Sequence, residues 1–167
     1  MILATLIVLS TIPSTSDLGT IEGRCRRGET GPAIMIEVVG LRDRRGLLRL
    51  ELYPANDDDF LADDNVLIAA GKSFARVDAP LPEAGPIRLC IRAPRPGSYA
   101  LALLHDRNAN RRFDLSGDGV GFPGNPRLGW SRPRAARATL LVGAGITHAE
   151  IRLNYRRGLT MRPLEGK

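Results

Sequence analysis

The sequence predicts an all-β domain, an antiparallel β-sandwich of about seven strands in an immunoglobulin-like or transthyretin-like arrangement. Three observations lead to this prediction. Apolar and polar residues alternate with a period of two in several runs, which is typical of strands with one face in a core. These runs recur at roughly ten-residue spacing between turns that contain Gly or Pro. No long amphipathic helical pattern interrupts them.

Length and charge narrow the classes of function. A chain of 167 residues is long enough for one domain with a sizeable core. The net charge of +6 is carried almost wholly by arginine, since only Lys72 and Lys167 are lysines. The charged residues are spread along the predicted strands rather than gathered on one helix face, so we expect no nucleic-acid partner.

The chain begins with an apolar run, ILATLIVL (2–9), followed by small and hydroxylated residues. This order is typical of a secretory signal peptide, although no basic segment precedes the run; a buried first strand is the alternative. The run is too short for a transmembrane helix, which needs ~20 residues. We therefore expect a signal peptide over 1–19, removed somewhere between residues 13 and 23, and an N-terminal arm over 20–32. The mature protein would be periplasmic or secreted, without a transmembrane helix.

The chain has two cysteines, Cys25 before the first predicted strand and Cys90 inside a later one. An isolated pair in an exported protein favours a disulfide over a reactive site, because the compartment is oxidising. We expect a Cys25–Cys90 disulfide if the protein is exported. Two free buried thiols are the alternative.

The β-sandwich is predicted over residues 33–155, and residues 156–167 are expected to form a loose C-terminal tail. A charged, hairpin-like connection joins the first two β-rich runs. The runs along the chain are AIMIEVVGL (33–41), GLLRLELYP (46–54), SFARVDAPL (73–81), GPIRLCIRA (85–93), APRPGSYALALLHD (93–106), ARATLLVGAG (136–145) and THAEIRLNY (147–155).

Three of these runs allow a finer prediction. In 46–54 leucines alternate with Arg49, Glu51 and Tyr53, so one face is expected to contact the core and the other to contact water. The run 93–106 opens with a Pro/Gly turn and is apolar on both faces over 99–104, which predicts a central strand that is covered on both sides. The last two runs are expected to form a final pair of strands.

The segment HDRNANRRFDLSGDGVGFPGNPRLGWS (105–131) differs from the rest, because acidic and amide residues alternate and then Gly and Pro crowd together. Four oxygen-bearing residues match positions one, three, five and nine of an EF-type calcium loop: Asp106, Asn108, Asn110 and Asp114. Its sixth position is Arg111 instead of glycine, and its twelfth is Gly117 instead of glutamate. Asp and Asn also stabilise turns without an ion. We therefore expect a structural corner with no certain cofactor, and calcium binding is the alternative.

Two other side chains of this segment are candidates for ligand contact. His105 could touch a ligand, or act with Asp106 as an acid–base pair in a hydrolase-type enzyme; a hydrogen-bonded structural role is the simpler interpretation. Trp130 could stack on a sugar or close the bottom of the sandwich. Since no G-x-S-x-G motif occurs, the favoured function is a non-enzymatic binding or structural module. It would act through residues 105–131 on a small ligand or an envelope component.

Four stretches of the sequence resemble a bacterial family of exported proteins known as domain of unknown function 2141. They are GLRDRRGLLRLELYP, PGSYALALLHDRNANRRFD, GVGFP and LGWS. The resemblance extends over residues 33–155, and Arg111 stands where the family usually has glycine. It implies a β-sandwich fold and an exported protein, and it implies no activity, because none is established for the family. The family motif H-D-x-N-x-N-G-x-x-D is matched by His105, Asp106, Asn108, Asn110 and Asp114.

Overall fold

The computed structural model describes residues 11–129 and 131–164, and in these ranges ten strands form two sheets. Two short helices, α1 (Thr20–Gly23) and α2 (Asp64–Ala69), and one turn of 3-10 helix at Ala135–Arg137 lie between them. The strands are β1 (Ala33–Val39), β2 (Leu47–Pro54), β3 (Ala75–Pro80), β4 (Ile87–Arg92), β5 (Gly97–Asp106), β6 (Gly119–Gly121), β7 (Thr139–Val142), β8 (Ile146–Arg152), β9 (Asn154–Arg157) and β10 (Thr160–Pro163).

The all-β sandwich prediction is confirmed. The small sheet has the order β4-β1-β8 and the large sheet the order β10-β9-β6-β5-β2-β3, with β7 beside the first half of β5. The strand pairs are antiparallel except β1 and β8, which run parallel with Ile36 opposite Ala149. The strands outnumber the predicted seven because β6, β9 and β10 span only three or four residues, too few for a periodic pattern.

The chain passes from one sheet to the other at two places where the sequence predicted that consecutive strands pair with each other. β1 belongs to the small sheet and β2 to the large sheet, so the connection between them is not a hairpin. Likewise β7 and β8 lie in different sheets, and the run 147–155 divides at Leu153 into β8 and β9. Alternation identifies a strand, but the partner of that strand is chosen by packing between distant residues.

The large sheet continues beyond residue 155, where a loose tail was expected. β9 and β10 form an antiparallel hairpin with Arg157 opposite Thr160, and β9 pairs with β6 through Tyr155 and Gly119. Residues 160–163 are therefore an edge strand of the sheet. Within the ranges 11–129 and 131–164, no helix combines the length and apolar character needed to cross a membrane.

The core lies between the two sheets, and β5 is covered on both faces as predicted. Tyr99, Leu101 and Leu103 point into the core between the sheets, whereas Ala100 and Ala102 belong to a second apolar cluster on the outer face of the large sheet. Burial of one leucine side chain contributes roughly 1.5–3 kcal/mol. The large side chains that are fully buried include Ile34, Ile36, Leu48, Leu50, Leu52, Phe60, Ile91, Leu101, Leu103, Ile151 and Tyr155.

The outer face of β2 is not in water, which corrects the prediction for Arg49, Glu51 and Tyr53. Arg49 and Tyr53 are 6% and 4% exposed. The Arg49 guanidinium donates two hydrogen bonds of 2.8 Å to the carboxylate of Asp78 on β3, and the Tyr53 hydroxyl donates to Glu51 at 2.6 Å. Polar side chains can occupy this face because each finds a partner on β2 or on β3.

Candidate functional site

His105 lies near the end of β5 and is fully buried, with its imidazole on the inner face of the large sheet. Its Nε2 lies 2.8 Å from the backbone carbonyl of Arg45 and its Nδ1 lies 2.7 Å from the hydroxyl of Tyr155. A carbonyl can only accept, so Nε2 carries the proton and Nδ1 accepts from Tyr155. Burial lowers the pKa of His105 from its ordinary value of 6.5. Its two ring nitrogens are therefore held in hydrogen bonds within the protein.

Asp106 is also fully buried, but its carboxylate is bonded to the backbone of the turn that follows β5. It accepts from the backbone N–H of Asn110 at 3.2 Å and from that of Arg111 at 2.6 Å. Successive strand residues point to opposite faces, which separates the Asp106 carboxylate from the imidazole of His105. The structure thus gives the two residues different partners and does not assemble them as an acid–base pair.

Asp118, which sequence reasoning did not select as a site residue, closes the other end of the same turn. We call residues 106–118 the Asp/Asn loop. The Asp118 carboxylate is 2% exposed and accepts from the backbone N–H of Arg107 at 2.9 Å and of Asp114 at 2.8 Å. The sequence signal that could have identified Asp118 was its place four residues after Asp114 and just before β6. Two buried aspartates, Asp106 and Asp118, therefore hold the ends of the loop through backbone bonds.

The structure brings the remaining predicted metal ligands together around Asp114. The side-chain amides of Asn108 and Asn110 donate to Asp114 Oδ2 at 2.8 and 2.7 Å. Their oxygens accept from backbone N–H groups, Asn108 from that of Asn110 at 3.1 Å and Asn110 from that of Arg112 at 2.8 Å. In this arrangement the amide nitrogens, rather than the oxygens that a cation would need, face the carboxylate.

Several features make the Asp/Asn loop a tightly defined unit. The Arg107 guanidinium donates to both Asp43 carboxylate oxygens and to the carbonyl of Gly117 at 3.2 Å. The hydrogen bond from Arg107 holds the pKa of Asp43 below its ordinary value. Ala109 and Arg111 have φ angles of 55° and 63°, the left-handed region that favours glycine. Arg111 thus adopts, without being glycine, a backbone conformation that favours glycine.

Within residues 11–129 and 131–164, no three His, Cys, Asp or Glu side chains form a cluster that could hold a metal ion. Calcium would therefore have to use asparagine and backbone oxygens together with the acidic groups. Each of the Asn oxygens named above already accepts one backbone N–H bond, which leaves one lone pair for a cation. Calcium binding remains a prediction to be tested.

An apolar cleft of about 360 Å³ lies beside the Asp/Asn loop on the outer face of the large sheet. Phe113 and Leu115, which flank Asp114 in sequence, line it and are each 49% exposed. Among the described residues that line it, the charged groups are Glu51, which pairs with Arg76 at 2.7 Å, and Arg132, which donates to the Phe60 carbonyl at 3.0 Å. Its other apolar lining residues are Leu61, Ala102, Leu103, Leu104, Val120, Phe122, Leu128, Pro133 and Met161.

The side chains that line this cleft differ from the candidate ligand contacts of the sequence analysis. Sequence reasoning weighed the polar residues of 105–131, whereas Phe113 and Leu115 provide the exposed apolar surface. Two large apolar residues in an otherwise polar turn were the signal that could have found it. Trp130, the other predicted ligand contact, lies outside the described residues, although its neighbours Gly129 and Ser131 line the cleft.

Cys25 and Cys90 are joined in a disulfide with their Cα atoms 5.9 Å apart. Next to it, Arg24 forms an isolated antiparallel bridge with Ile91 on β4. The N-terminal arm is in this way attached to the small sheet.

Comparison with known proteins finds a family but no characterised relative. A family model described as "Uncharacterized protein conserved in bacteria (DUF2141)" matches residues 36–150. This range contains the Asp/Asn loop and most of both sheets. Neither a curated protein nor a solved structure matches the chain.

Proposed function

Since the chain belongs to the uncharacterised bacterial family DUF2141, as its sequence predicted, we propose a function from the structure. The protein is an exported module that binds a small apolar molecule. The binding site is the apolar cleft beside the Asp/Asn loop. The observation that carries the proposal is the cleft itself. It is concave, has a volume of about 360 Å³, and is lined by apolar residues that include the half-exposed Phe113 and Leu115.

The size and lining of the cleft support binding of a small ligand. Ligand pockets commonly enclose ~300–1,000 Å³ and combine apolar walls with a few polar groups. Here the polar groups are Glu51, Ser131 and Arg132, and Glu51 and Arg132 already hold hydrogen bonds within the protein. An apolar ligand would remove Phe113 and Leu115 from water without stranding a charge, so its burial is favourable.

The Asp/Asn loop would form one ordered wall of this binding site. Its internal bonds fix the backbone at Asp114, and Phe113 and Leu115 stand on either side of that residue. A wall that is already ordered loses little conformational entropy when a ligand binds. The loop would thus contribute to binding by holding Phe113 and Leu115 in place, and its polar groups need not touch the ligand.

The bonds of His105 and Asp106 favour binding over hydrolysis. A general base must have a free site within hydrogen-bond reach of the substrate. Both nitrogens of His105 bond to protein groups, and Asp106 is fully buried with both carboxylate oxygens accepting backbone N–H bonds. For His105 to act as a base, the hydrogen bond from Tyr155 would first have to break.

Export is supported by two features of the chain. The apolar run 2–9 is typical of a signal peptide, and the Cys25–Cys90 disulfide suits an oxidising compartment such as the periplasm. The same compartment would give the cleft access to apolar molecules of the cell envelope.

A binding experiment with two matched variants tests the proposed site. Decanol is titrated into the exported protein and its binding is measured by isothermal titration calorimetry. We expect saturable binding that weakens about tenfold in Leu115→Arg, because the new charge lies on the apolar wall. Leu141 is 77% exposed on β7 and does not line the cleft, so Leu141→Arg should bind like the wild type. Equal affinity in all three proteins, or no saturable binding, would contradict the proposal.

A further inference from the structure

Residues 12–25 lie against the body of the protein and form a longer arm than the sequence predicted. The Asn65 side-chain amide of α2 donates to the carbonyl of Ile12 at 3.0 Å. The Arg111 guanidinium donates to the Ser16 hydroxyl at 2.9 Å. The arm is therefore held by both α2 and the Asp/Asn loop before it reaches Cys25.

Arg76 on β3 is the main attachment point of the arm. Its side chain is 8% exposed and pairs with Glu51 at 2.7 Å and Asp64 at 3.1 Å. Its Nη1 donates to the carbonyl of Thr15 at 3.0 Å, and its backbone N–H donates to the carbonyl of Gly19 at 2.9 Å. A buried guanidinium needs acceptors for its several N–H groups, and the arm supplies part of them.

Two glycines allow the arm to approach the sheet closely. A Cβ atom on Gly19 would lie 2.8 Å from the Phe74 ring, and one on Gly23 would lie 2.5 Å from the carbonyl oxygen of Arg76. Gly19 also has a φ of 78°, in the left-handed region. Between the two glycines, α1 begins at Thr20. The backbone N–H and the hydroxyl of Thr20 both donate to the carbonyl of Asp17. The contact from Asp17 to Cys25 is thus close-packed.

We propose that signal-peptide cleavage occurs after Leu9 and no later than the Ser14–Thr15 bond, so that residues 15–25 remain on the exported protein as a structural arm. This inference rests on the proposed export. A signal peptidase would hydrolyse one peptide bond with one water molecule, leaving a carboxylate on the leader and a new amine on the mature chain. The sequence pattern allowed cleavage up to residue 23, but a cut after Thr15 would remove the carbonyl that accepts from Arg76 Nη1, and a cut after Gly19 would also remove the carbonyl that accepts from the Arg76 backbone N–H.

The first test is the mass of the processed protein. The full chain is expressed in a bacterium, a periplasmic extract is prepared, and intact-mass analysis identifies the first residue. We expect a mature chain that begins between residues 10 and 15. An exported chain that begins at residue 16 or later overturns this inference and leaves the proposed export standing. Full-length cytosolic protein overturns both.

A second measurement asks whether the arm is docked in the exported protein. Gly23→Ala adds a methyl group against the Arg76 backbone, so its Tm should fall by roughly 3–8 °C. A Cβ on Gly143 would meet no atom within 4 Å, and its φ lies outside the left-handed region, so Gly143→Ala is the matched control. An equal Tm for the two variants would overturn the structural role of the arm.

Discussion

The Tyr155 hydroxyl lies 2.7 Å from Nδ1 of His105 and links β9 to the end of β5. The same hydroxyl accepts the backbone N–H of Arg42 at 3.1 Å, and Nε2 of His105 donates to the carbonyl of Arg45. A chain of hydrogen bonds thus fixes the connection between β1 and β2 beneath the Asp/Asn loop. Burial raises the pKa of Tyr155 to about 12, so its hydroxyl stays protonated and can donate at neutral pH.

Replacement of Tyr155 by phenylalanine should destabilise the protein by about 1–3 kcal/mol. The variant keeps the ring but leaves Nδ1 of His105 without a donor and the N–H of Arg42 without this acceptor. Urea unfolding followed by circular dichroism measures the change. Tyr99→Phe is the control, since its hydroxyl donates a single bond to the Arg95 carbonyl in a partly exposed turn. A loss no larger in Tyr155→Phe than in the control would contradict the linking role.

The stability of the protein should depend on pH through His105. Because burial lowers the pKa of this imidazole in the folded state, the unfolded chain binds the proton first as the pH falls below its ordinary value of 6.5. The free energy of unfolding should then be constant above about pH 7 and decrease from pH 6.5 down to the folded pKa of His105. Asp43 affects the free energy of unfolding only at lower pH. Its folded-state pKa lies below the ordinary value of 3.8, so its stabilising contribution is lost as the pH falls below about that value.

Unfolding measured between pH 8 and pH 5 checks this expectation. His105→Gln should flatten the decrease, whereas His148→Asn, which changes the other histidine on the exposed face of β8, should leave it in place. The same pH dependence in both variants would show that another group is responsible.

The Asp/Asn loop should be stable without calcium. Asp106→Ala leaves the buried N–H groups of Asn110 and Arg111 without their acceptor, so we expect a loss of about 1–3 kcal/mol. The loss should be equal with calcium and with a chelator present. Asp58 is an exposed aspartate outside the loop, and Asp58→Ala should change little. Micromolar calcium binding in calorimetry, abolished by both Asp106→Ala and Asp114→Ala, would instead establish a metal site.

Replacement of Ala109 by glycine should stabilise the protein by about 0.5–1 kcal/mol. A non-glycine residue in the left-handed region costs roughly 1–2 kcal/mol, and Ala109 has a φ of 55°. The extra flexibility of glycine in the unfolded chain offsets part of this gain. The exposed Ala144 has no such φ, so Ala144→Gly should destabilise the protein. Chemical denaturation of both variants decides the sign.

Loss of the disulfide should cost roughly 4 kcal/mol, because Cys25 and Cys90 are 65 residues apart and the bond restricts the unfolded chain. The test compares the unfolding of wild type with that of the double variant Cys25→Ser and Cys90→Ser. Non-reducing peptide mapping of the exported protein should find the linked peptides. Two free thiols there would contradict the prediction.

The sequence by itself determined the fold class, the family and the presence of a polar turn after β5. Each depends on local patterns: period-two alternation in 48–52, two apolar faces in 99–104, and turn-forming Asp and Asn after β5. The strand partners did not follow from these patterns. β1 pairs in parallel with β8, more than 100 residues later, because the small sheet must cover the core face of the large one.

Only the tertiary structure decided which polar groups are buried and where an apolar surface is left open. Arg49 on the expected wet face pairs with Asp78, and Arg76 joins Thr15, Glu51 and Asp64, which no sequence spacing brings together. Phe113 and Leu115 become a cleft wall only because Phe122, Leu128 and Met161 complete the concave surface. Local chemistry selects an element, whereas burial and pairing depend on contacts between distant residues that form only when the chain has folded.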